Sequence, residues 1–186
     1  MYITSMDYTD PKFTAVHHRN VWGQWIFIFE KSKLCGLSYT GSNKPSSVKA
    51  CAYAGSNTQD NLPPTVARAY HKAVRLLNQY LDGKLKEFSI PLQVYGTEFQ
   101  KKVWKAISEI PYGQTRTYQQ IASEIGAPKA LRAVGGALHA NPIAIILPCH
   151  RVVGKKGKMV GYAMGIDLKR RLLMLEGAIQ NELELE

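Results

Sequence analysis

The sequence has few cysteines, no long apolar run and fewer acidic than basic residues. Its 186 residues include three cysteines, Cys35, Cys51 and Cys149, with no C-x-x-C spacing among them. An odd number without that spacing favours a reducing compartment. We therefore expect a cytoplasmic protein, associated with the nucleoid in a bacterium or nuclear in a eukaryote.

Signals for membrane insertion and secretion are also missing. The best apolar run, residues 143–147, is far too short to cross a bilayer. The first thirteen residues lack a basic start followed by an apolar core, so we expect no secretory signal. We find no internal repeat. A content of 45% hydrophobic and 20% charged residues is typical of a globular protein with one large or two small domains.

The shortage of acidic residues leaves a formal net charge of +10. Residues 95–178 hold 13 Lys or Arg against 5 Asp or Glu, and residues 1–94 hold 11 against 6, whereas the acidic tail 179–186 holds three Glu and no base. A basic half suggests a polyanionic partner such as nucleic acid. From charge alone, a basic protein without such a partner fits equally well.

Residues 1–94 are predicted to form a small α/β domain. Aromatic and β-branched residues over Val21–Phe29 and Leu34–Tyr39 predict two paired strands. Residues 41–64 are rich in Gly, Ser, Asn and Pro, which predicts a loop that includes at most one short strand. Apolar residues then recur at helical spacing over Thr65–Leu81, which predicts an amphipathic helix.

Residues 95–178 are predicted to begin with three helices. Two capping boxes, which start at Thr97 and Thr117, each predict the start of a helix. Pro128 is predicted to be the first residue of the third helix, and the residues expected to face its core are Leu131, Val134 and Leu138. The last two helices are typical of a helix-turn-helix, although many such helix pairs bind nothing.

A strand and a basic hairpin are predicted after these helices. Residues 143–147 form the apolar strand, and residues 154–157 form the tip of the hairpin. This order of elements is typical of a winged helix. The paired glycines of the third helix, Gly135 and Gly136, would allow close approach to a nucleic-acid backbone.

Cys149 and His150 follow the predicted strand and are candidates for nucleophilic chemistry. The thiolate is the reactive form of cysteine, so a nearby group must lower the pKa of the thiol or accept its proton. His150 and the basic residues after it could do either. The alternative is a buried cysteine that only packs, because free cysteine is among the most buried residue types.

Five motifs in a fixed order decide between these alternatives. They are Tyr118-Gln-Gln-Ile-Ala, Arg132-Ala-Val-Gly-Gly-Ala, Asn141-Pro142, Ile-Leu-Pro-Cys149-His-Arg-Val and Leu-Glu176-Gly. Together they resemble the O6-alkylguanine-DNA alkyltransferase family, whose members repair DNA in a single suicidal turnover. The resemblance covers about residues 95–178. In the related alkyltransferase-like proteins, tryptophan replaces the cysteine, so the presence of Cys149 favours real transfer.

The resemblance implies a fold and a reaction. The fold is α+β, with a small N-terminal α/β ribonuclease-H-like domain that has an antiparallel sheet and a C-terminal winged-helix domain. The protein would flip O6-alkylguanine, and also O4-alkylthymine, out of duplex DNA and transfer the alkyl group irreversibly to Cys149. His150 would take the thiol proton through a water, and Glu176 would orient the imidazole. Asn141 would shape the turn before Cys149.

The resemblance also assigns DNA contacts and a substrate pocket. Arg132 would fill the space left by the flipped base, and Tyr118 would hydrogen-bond that base and donate a proton to it. The other residues expected at the DNA are Gly135, Gly136 and Arg151. The residues expected around the base are Pro148, Val152, Tyr162, Ala163 and Met164. Met164 replaces a glycine that is common in the family, so we expect bulky O6-benzyl substrates to react less well.

We expect no cofactor and no bound metal. Some relatives carry a structural zinc in the N-terminal domain, but His17, His18, Cys35 and Cys51 contain no tight pair of soft ligands. The expected partner is double-stranded DNA that contains alkylated bases, with no membrane. We expect a monomer and leave cooperative assembly along DNA open.

Three other functions fit the sequence less well. A winged-helix regulator would leave the Cys149–His150 pair without a role. A zinc base deaminase needs a second cysteine at position 152, which is valine, and an upstream His-x-Glu motif that the sequence lacks. A cysteine hydrolase with direct contact between Cys149 and His150 is disfavoured, because neighbouring residues of a strand point to opposite faces, and only an indirect contact through water stays open.

Overall fold

The computed structural model describes residues 10–41 and 61–180. The chain divides into two compact units. One consists of Met1–Tyr95 with Pro142–Ala144, and the other of Gly96–Asn141 with Ile145–Glu186. Among the described residues, no helix is long and apolar enough to cross a membrane.

The first unit contains a three-stranded antiparallel sheet in the order β1-β2-β3. The strands are β1 (Phe13–Asn20), β2 (Gly23–Glu30) and β3 (Lys33–Gly41). The predicted pairing of the second and third strands is confirmed. β1 was not predicted from the sequence because its second half is polar. The prediction that Val21 lies in a strand is wrong: Val21 lies in the turn between β1 and β2 and is 95% exposed.

The central strand β2 explains the stability of this unit. Residues 25–29 of β2 are all buried, so the strand is covered on both faces. On one face, Ile26 and Ile28 pack in a cluster with Ala15 and Cys35. On the other face, the ring of Phe27 lies 5.8 Å from that of Tyr70. The second ring belongs to α1 (Pro64–Leu81), the helix predicted from residue 65 onwards.

Two short segments extend the edge of β3. Leu92 and Ile143 each form an isolated parallel bridge, with Leu34 and Leu37 respectively. A continuous strand over residues 143–147 is therefore wrong: residues 143, 144 and 147 form only isolated bridges, and residues 145 and 146 form a turn between them. Most of the predicted loop lies outside the described residues, which resume at residue 61.

The second unit begins with α2 (Glu98–Ser108), and its predicted start is confirmed. The side chain of Thr97 accepts a hydrogen bond from the backbone N–H of Gln100 at 3.2 Å. The side chain of Gln100 accepts one from the backbone N–H of Thr97 at 2.9 Å. These two bonds satisfy amides that the first helical turn leaves without partners.

The helix-turn-helix consists of α3 (Tyr118–Glu124) and α4 (Leu131–His139). The capping box predicted before α3, at Thr117, is present. The predicted start of the third helix at Pro128 is wrong. A turn closed by the hydrogen bond from the Ala130 N–H to the Ala127 carbonyl keeps Pro128 outside the helix.

Helix α4 buries one face against the other helices of this unit. Val134 and Leu138 are buried as predicted, but Leu131 is 41% exposed and does not face the core. The indole N–H of Trp104 on α2 donates to the carbonyl of Ala137 at 2.8 Å. This bond fixes the position of α4 along α2.

The remaining elements are short except for the last helix. A 3-10 turn, Cys149–Arg151, leads into β5 (Val152–Val153), which pairs in parallel with β4 (Arg116–Thr117). The predicted basic loop at residues 154–157 is present and is closed by the hydrogen bond from the Gly154 N–H to the Lys158 carbonyl, but among the described residues no second strand completes a hairpin. Within this loop, Lys156 has a left-handed φ of 58°, and the chain reverses there without a ladder of hydrogen bonds between two strands. Helix α5 (Ile166–Leu175) follows.

Candidate active site

Cys149 lies at the first residue of the 3-10 turn and is only 6% exposed. The side-chain amide of Asn141 donates to the Cys149 sulfur at 3.0 Å and to the carbonyl of Leu147 at 2.7 Å. Cys149 and His150 lie in a 3-10 turn and not in a strand, so the alternation of side chains between the two faces of a strand does not apply to them. Asn141 therefore holds both the nucleophile candidate and the loop before it.

The loop between Asn141 and Cys149 contains a strained residue. Ile145 has a φ of 68°, a left-handed conformation that is unusual for a β-branched side chain. Such a conformation costs about 1–3 kcal/mol and persists only where the surroundings impose it. The two hydrogen bonds of Asn141 and the burial of Ile145 supply that constraint.

His150 is fully buried and hydrogen-bonded to Glu176, with 2.9 Å between Nε2 and Oε1. Burial lowers the pKa of the imidazole, and the hydrogen bond and charge of Glu176 only partly oppose this effect. His150 is therefore neutral at neutral pH. Its Nε2–H donates to the carboxylate, which leaves the lone pair on Nδ1 available for a proton.

The carboxylate of Glu176 accepts further hydrogen bonds from two other residues. Arg151 donates from Nε to Oε2 and from Nη2 to Oε1, each at 2.9 Å. The backbone N–H of Gly113 donates to Oε2 at 3.1 Å. The buried negative charge of Glu176 is thus paired with a guanidinium, which is what a buried carboxylate requires.

The predicted contact of Arg151 with DNA is not supported by this geometry. Arg151 is buried, and its Nη1 donates to the carbonyl of Ile110 at 2.6 Å while the other nitrogens bind Glu176. A guanidinium committed in this way is not presented to a phosphate. Its charge instead helps to lower the pKa of His150, which keeps that imidazole unprotonated.

Lys169 is a site residue that the sequence analysis missed. It lies on α5 and is fully buried, and its Nζ donates to the carbonyls of Val152 at 2.6 Å and Val160 at 3.0 Å. Burial lowers the pKa of Lys169 to about 8, and a negative charge on Cys149 opposes that shift. Lys169 therefore places a titratable positive charge close to the thiol.

A signal for Lys169 was present in the sequence. Lys169, Leu172, Leu173 and Glu176 stand at the spacing i, i+3, i+4 and i+7, which puts them on one face of a helix. The two leucines are buried, so the lysine that shares their face is buried as well. Its position beside two arginines hid this pattern.

The thiol of Cys149 is protonated in the resting protein. Burial raises its pKa, whereas the hydrogen bond from Asn141 and the charge of Lys169 lower it, in that order of size. The burial effect dominates. A reaction at this sulfur therefore requires a group that removes the proton, and His150 is the neighbouring residue in the chain with a basic nitrogen.

Tyr118 begins α3 and is half-buried. Burial raises the pKa of its phenol, and a negative charge on Cys149 raises it further. A Cβ on Gly135 would lie 3.7 Å from the Tyr118 ring, which is an ordinary contact. A Cβ on Gly136 would meet no atom within 4 Å, and Gly136 and Arg132 are both exposed.

The predicted pocket residues lie in two segments of the chain, one around Cys149 and one around Tyr162. Lys169 joins the two segments through its hydrogen bonds to the carbonyls of Val152 and Val160. Pro148 and Val152 are buried beside Cys149 in the chain. Tyr162 and Ala163 are half-buried and lie in a turn closed by the hydrogen bond from the Gly165 N–H to the Tyr162 carbonyl. Met164 lies in the same turn and is 8% exposed.

Metal ligation is not supported in the part of the chain that the structure describes. Residues 10–41 and 61–180 contain no group of three or more His, Cys, Asp or Glu side chains that could hold a metal ion. Of the candidates considered from the sequence, His17 is exposed, Cys35 is buried in the sheet, and Cys51 lies outside the described residues.

Comparisons with known proteins show the family to which this chain belongs. Residues 98–178 match the family described as the DNA binding domain of 6-O-methylguanine DNA methyltransferase. A methylated-DNA–protein-cysteine methyltransferase of Methanosarcina acetivorans is 59% identical over 109 residues, which are 59% of this chain and 70% of that relative. The chain belongs to the methylated-DNA–protein-cysteine methyltransferase family.

Solved structures of this family match nearly the whole chain. The O6-methylguanine methyltransferase of Mycobacterium tuberculosis matches with a TM-score of 0.74 and 39% identity, over 91% of this chain and 96% of that one. A complex of the M. tuberculosis protein OGT with DNA matches with a TM-score of 0.75 and 40% identity, over 89% and 93% of the two chains. The resemblance, the mixed α/β fold class and the methyltransferase function predicted from the sequence are confirmed.

Proposed function

We propose that Cys149 is the acceptor in the methyltransferase reaction and that O6-alkylguanine in double-stranded DNA is the donor, with O4-alkylthymine as a second substrate. The observation that carries this proposal is the surroundings of the sulfur. A free thiol accepts a hydrogen bond from Asn141, and the next residue is a neutral histidine held by a buried carboxylate. No other described cysteine stands next to a histidine.

The proposed reaction is a direct displacement. The Cys149 sulfur attacks the alkyl carbon, a carbon–sulfur bond forms, and the bond from that carbon to guanine O6 breaks. The electron pair of the broken bond goes to guanine, which is protonated as it leaves. The raised pKa of Tyr118 keeps its phenol protonated at neutral pH, so it is able to donate this proton.

The thiol proton goes to Nδ1 of His150 through one water. Nδ1 is the accepting nitrogen because Nε2 carries the ring proton and donates it to Glu176. Protonation of His150 places a positive charge next to that carboxylate. Arg151 already neutralises much of the carboxylate charge, so Glu176 acts mainly to orient the imidazole.

The product is a thioether, which lacks a good leaving group, so each molecule acts once. In the triads of hydrolytic enzymes, water attacks the covalent intermediate and regenerates the nucleophile. A thioether carbon offers water no comparable route. Cys149 then stays alkylated, and the protein is consumed in a stoichiometric reaction.

The exposed face of α4 is proposed to bind DNA. Arg132 and Gly136 lie on successive turns of this face, where a cation and a bare backbone favour approach to the phosphates. Arg132 fills the stack when the alkylated base turns outward, a step that costs a few kcal/mol of unstacking energy. The base enters the pocket formed by the residues around Val152 and Tyr162.

We also propose that residues 95–178 carry both DNA binding and chemistry, with residues 1–94 as a separate α/β domain. The protein acts as a monomer in a reducing compartment, because the acceptor must be a thiol and a net charge of +10 opposes self-association. Sedimentation velocity at physiological salt checks the monomer; a dimer as the main species would contradict it.

The experiment that tests the proposed function is a mass measurement. The protein is incubated with a duplex containing one O6-methylguanine, and its intact mass and peptide map are recorded. We expect one methyl group on the Cys149 peptide and none in the variant Cys149→Ser. Tight binding to the lesion without a mass change would show a damage-binding protein instead and would overturn the proposal.

A further inference from the structure

Leu131 is an exposed apolar side chain at an unusual place. Among the described residues, the large apolar side chains that are clearly exposed are Val21, Leu131 and Met174. A single exposed leucine is ordinary on a protein surface and needs no explanation by itself. Leu131, however, is the first residue of α4 and directly precedes Arg132, the cation proposed to enter the DNA stack.

The helix around Leu131 leaves its side chain uncovered. In an α-helix, side chains lean towards the N-terminus, so the side chain four positions further along the chain covers a given residue. The residues at those positions from Leu131 and Arg132 are Gly135 and Gly136, which have no side chain. No side chain of the next helical turn therefore covers Leu131 or Arg132, and both are exposed.

The surroundings of Leu131 contain little that would repel DNA. The first turn of α4 holds no acidic residue. The four residues just before Leu131 line an open surface depression and are mostly small and apolar: Ala127, Pro128, Lys129 and Ala130. An apolar side chain in this setting is able to approach bases and sugars closely.

We propose that Leu131 is an apolar wedge that packs against the base pair next to the extrahelical nucleotide. Proteins that distort DNA from the minor groove often insert apolar side chains at an unstacked step. The two neighbouring residues have different roles here. Arg132 supplies hydrogen-bond donors to the vacated space, and Leu131 covers the apolar face that the step exposes. The inference rests on the proposed function, in particular on base extrusion by α4.

The test separates the cost of base extrusion from the chemistry. Single-turnover rates of methyl transfer are measured with O6-methylguanine opposite cytosine, opposite an abasic site and in single-stranded DNA. For Leu131→Ala we expect a rate about tenfold lower on the paired duplex. The variant loses the apolar surface that Leu131 would bury against the DNA when the base is extruded. On the other two substrates, where extrusion costs little, we expect a rate within about twofold of the parent protein.

Two further variants keep the test interpretable. Met174→Ala removes another exposed apolar side chain of the same unit, from α5, and should match the parent protein on all substrates. Leu131→Gln keeps the side-chain length but not its apolar character, and should be slowed on the paired duplex as Leu131→Ala is. Either Leu131 variant at the parent rate on that duplex, or slowed equally on all three substrates, overturns the wedge.

The parent protein separates this inference from the function on which it rests. A parent protein that transfers no methyl group from any substrate overturns the proposed function. A parent protein that transfers normally, with Leu131 variants that behave like it, overturns the wedge alone.

Discussion

Cys149, His150 and Glu176 are closed to solvent, whereas Leu131, Arg132 and Gly136 on α4 lie at the surface. Around the thiol, Glu176 is paired with Arg151, and Lys169 supplies a positive charge that favours the thiolate. On α4, the residues four positions after Leu131 and Arg132 are glycines, so no side chain of the next helical turn covers these two residues. The residues proposed for bond making are thus buried and held by hydrogen bonds, whereas the residues proposed to bind DNA lie on an exposed helix face.

The largest effect is expected from breaking the buried pairing of charges. Glu176→Gln leaves Arg151 as a buried cation without its counter-ion and should lower the free energy of unfolding by about 3–5 kcal/mol. The imidazole also loses its orienting acceptor, so methyl transfer should slow strongly. Urea unfolding monitored by fluorescence gives the first quantity and single-turnover kinetics the second.

A surface ion pair provides the control for this variant. Glu98 pairs with Lys101 at 3.0 Å on the exposed side of α2. Such pairs contribute about 0.2–1 kcal/mol, so Glu98→Gln should leave stability nearly unchanged. Equal losses from the two variants would contradict the contrast between the buried centre and the surface.

The second effect concerns the charge beside the thiol. Lys169→Met removes a positive charge that favours the Cys149 thiolate, so the pKa of the thiol should rise and its reaction with iodoacetamide at neutral pH should slow about tenfold. Lys102→Met, on the exposed side of α2, is the matched control and should react at the parent rate. An unchanged thiol in Lys169→Met would remove Lys169 from the site.

The same lysine predicts a dependence of stability on pH. Its pKa is lowered in the folded protein to about 8 from an ordinary value of 10.5, so the unfolded chain binds more protons between these values. The free energy of unfolding of the parent protein should therefore rise relative to that of Lys169→Met as pH increases from about 8 to 10.5. A difference that is constant over this range would mean that folding does not lower the pKa of Lys169.

The third effect distinguishes two arginines that the sequence analysis grouped together. Arg132→Ala should weaken DNA binding and reduce the slope of the logarithm of the binding constant against the logarithm of salt concentration by about one. Arg151→Met should leave that slope unchanged but destabilise the fold, because it strands Glu176. A reduced slope for Arg151→Met would restore Arg151 as a DNA contact.

Local sequence patterns predicted helix starts correctly, whereas contacts between residues far apart in the chain were not predicted. The capping boxes at Thr97 and Thr117 were predicted correctly because they depend on residues three positions apart. The pairing of Arg151 with Glu176 joins residues 25 positions apart, and periodicity carries no information about such a contact. The strand assigned to residues 143–147 failed because the side chain of Asn141 stabilises a turn there instead.

The smallest effect concerns Met164 and substrate size. Its backbone φ is not in the left-handed region, so the turn does not require glycine, and the side chain is packed with only 8% exposed. Met164→Gly should therefore free both volume and backbone beside Tyr162, and should raise the rate with O6-benzylguanine several-fold while the methyl rate stays within about twofold. Truncation of a buried methionine lowers the free energy of unfolding by about 2–5 kcal/mol, so the stability of both variants is measured as well. Met164→Ala is the control, because it opens the same volume without the added backbone freedom of glycine. If the parent protein reacts with O6-benzylguanine as fast as both variants or faster, Met164 does not limit the pocket, and the restriction on bulky substrates is wrong.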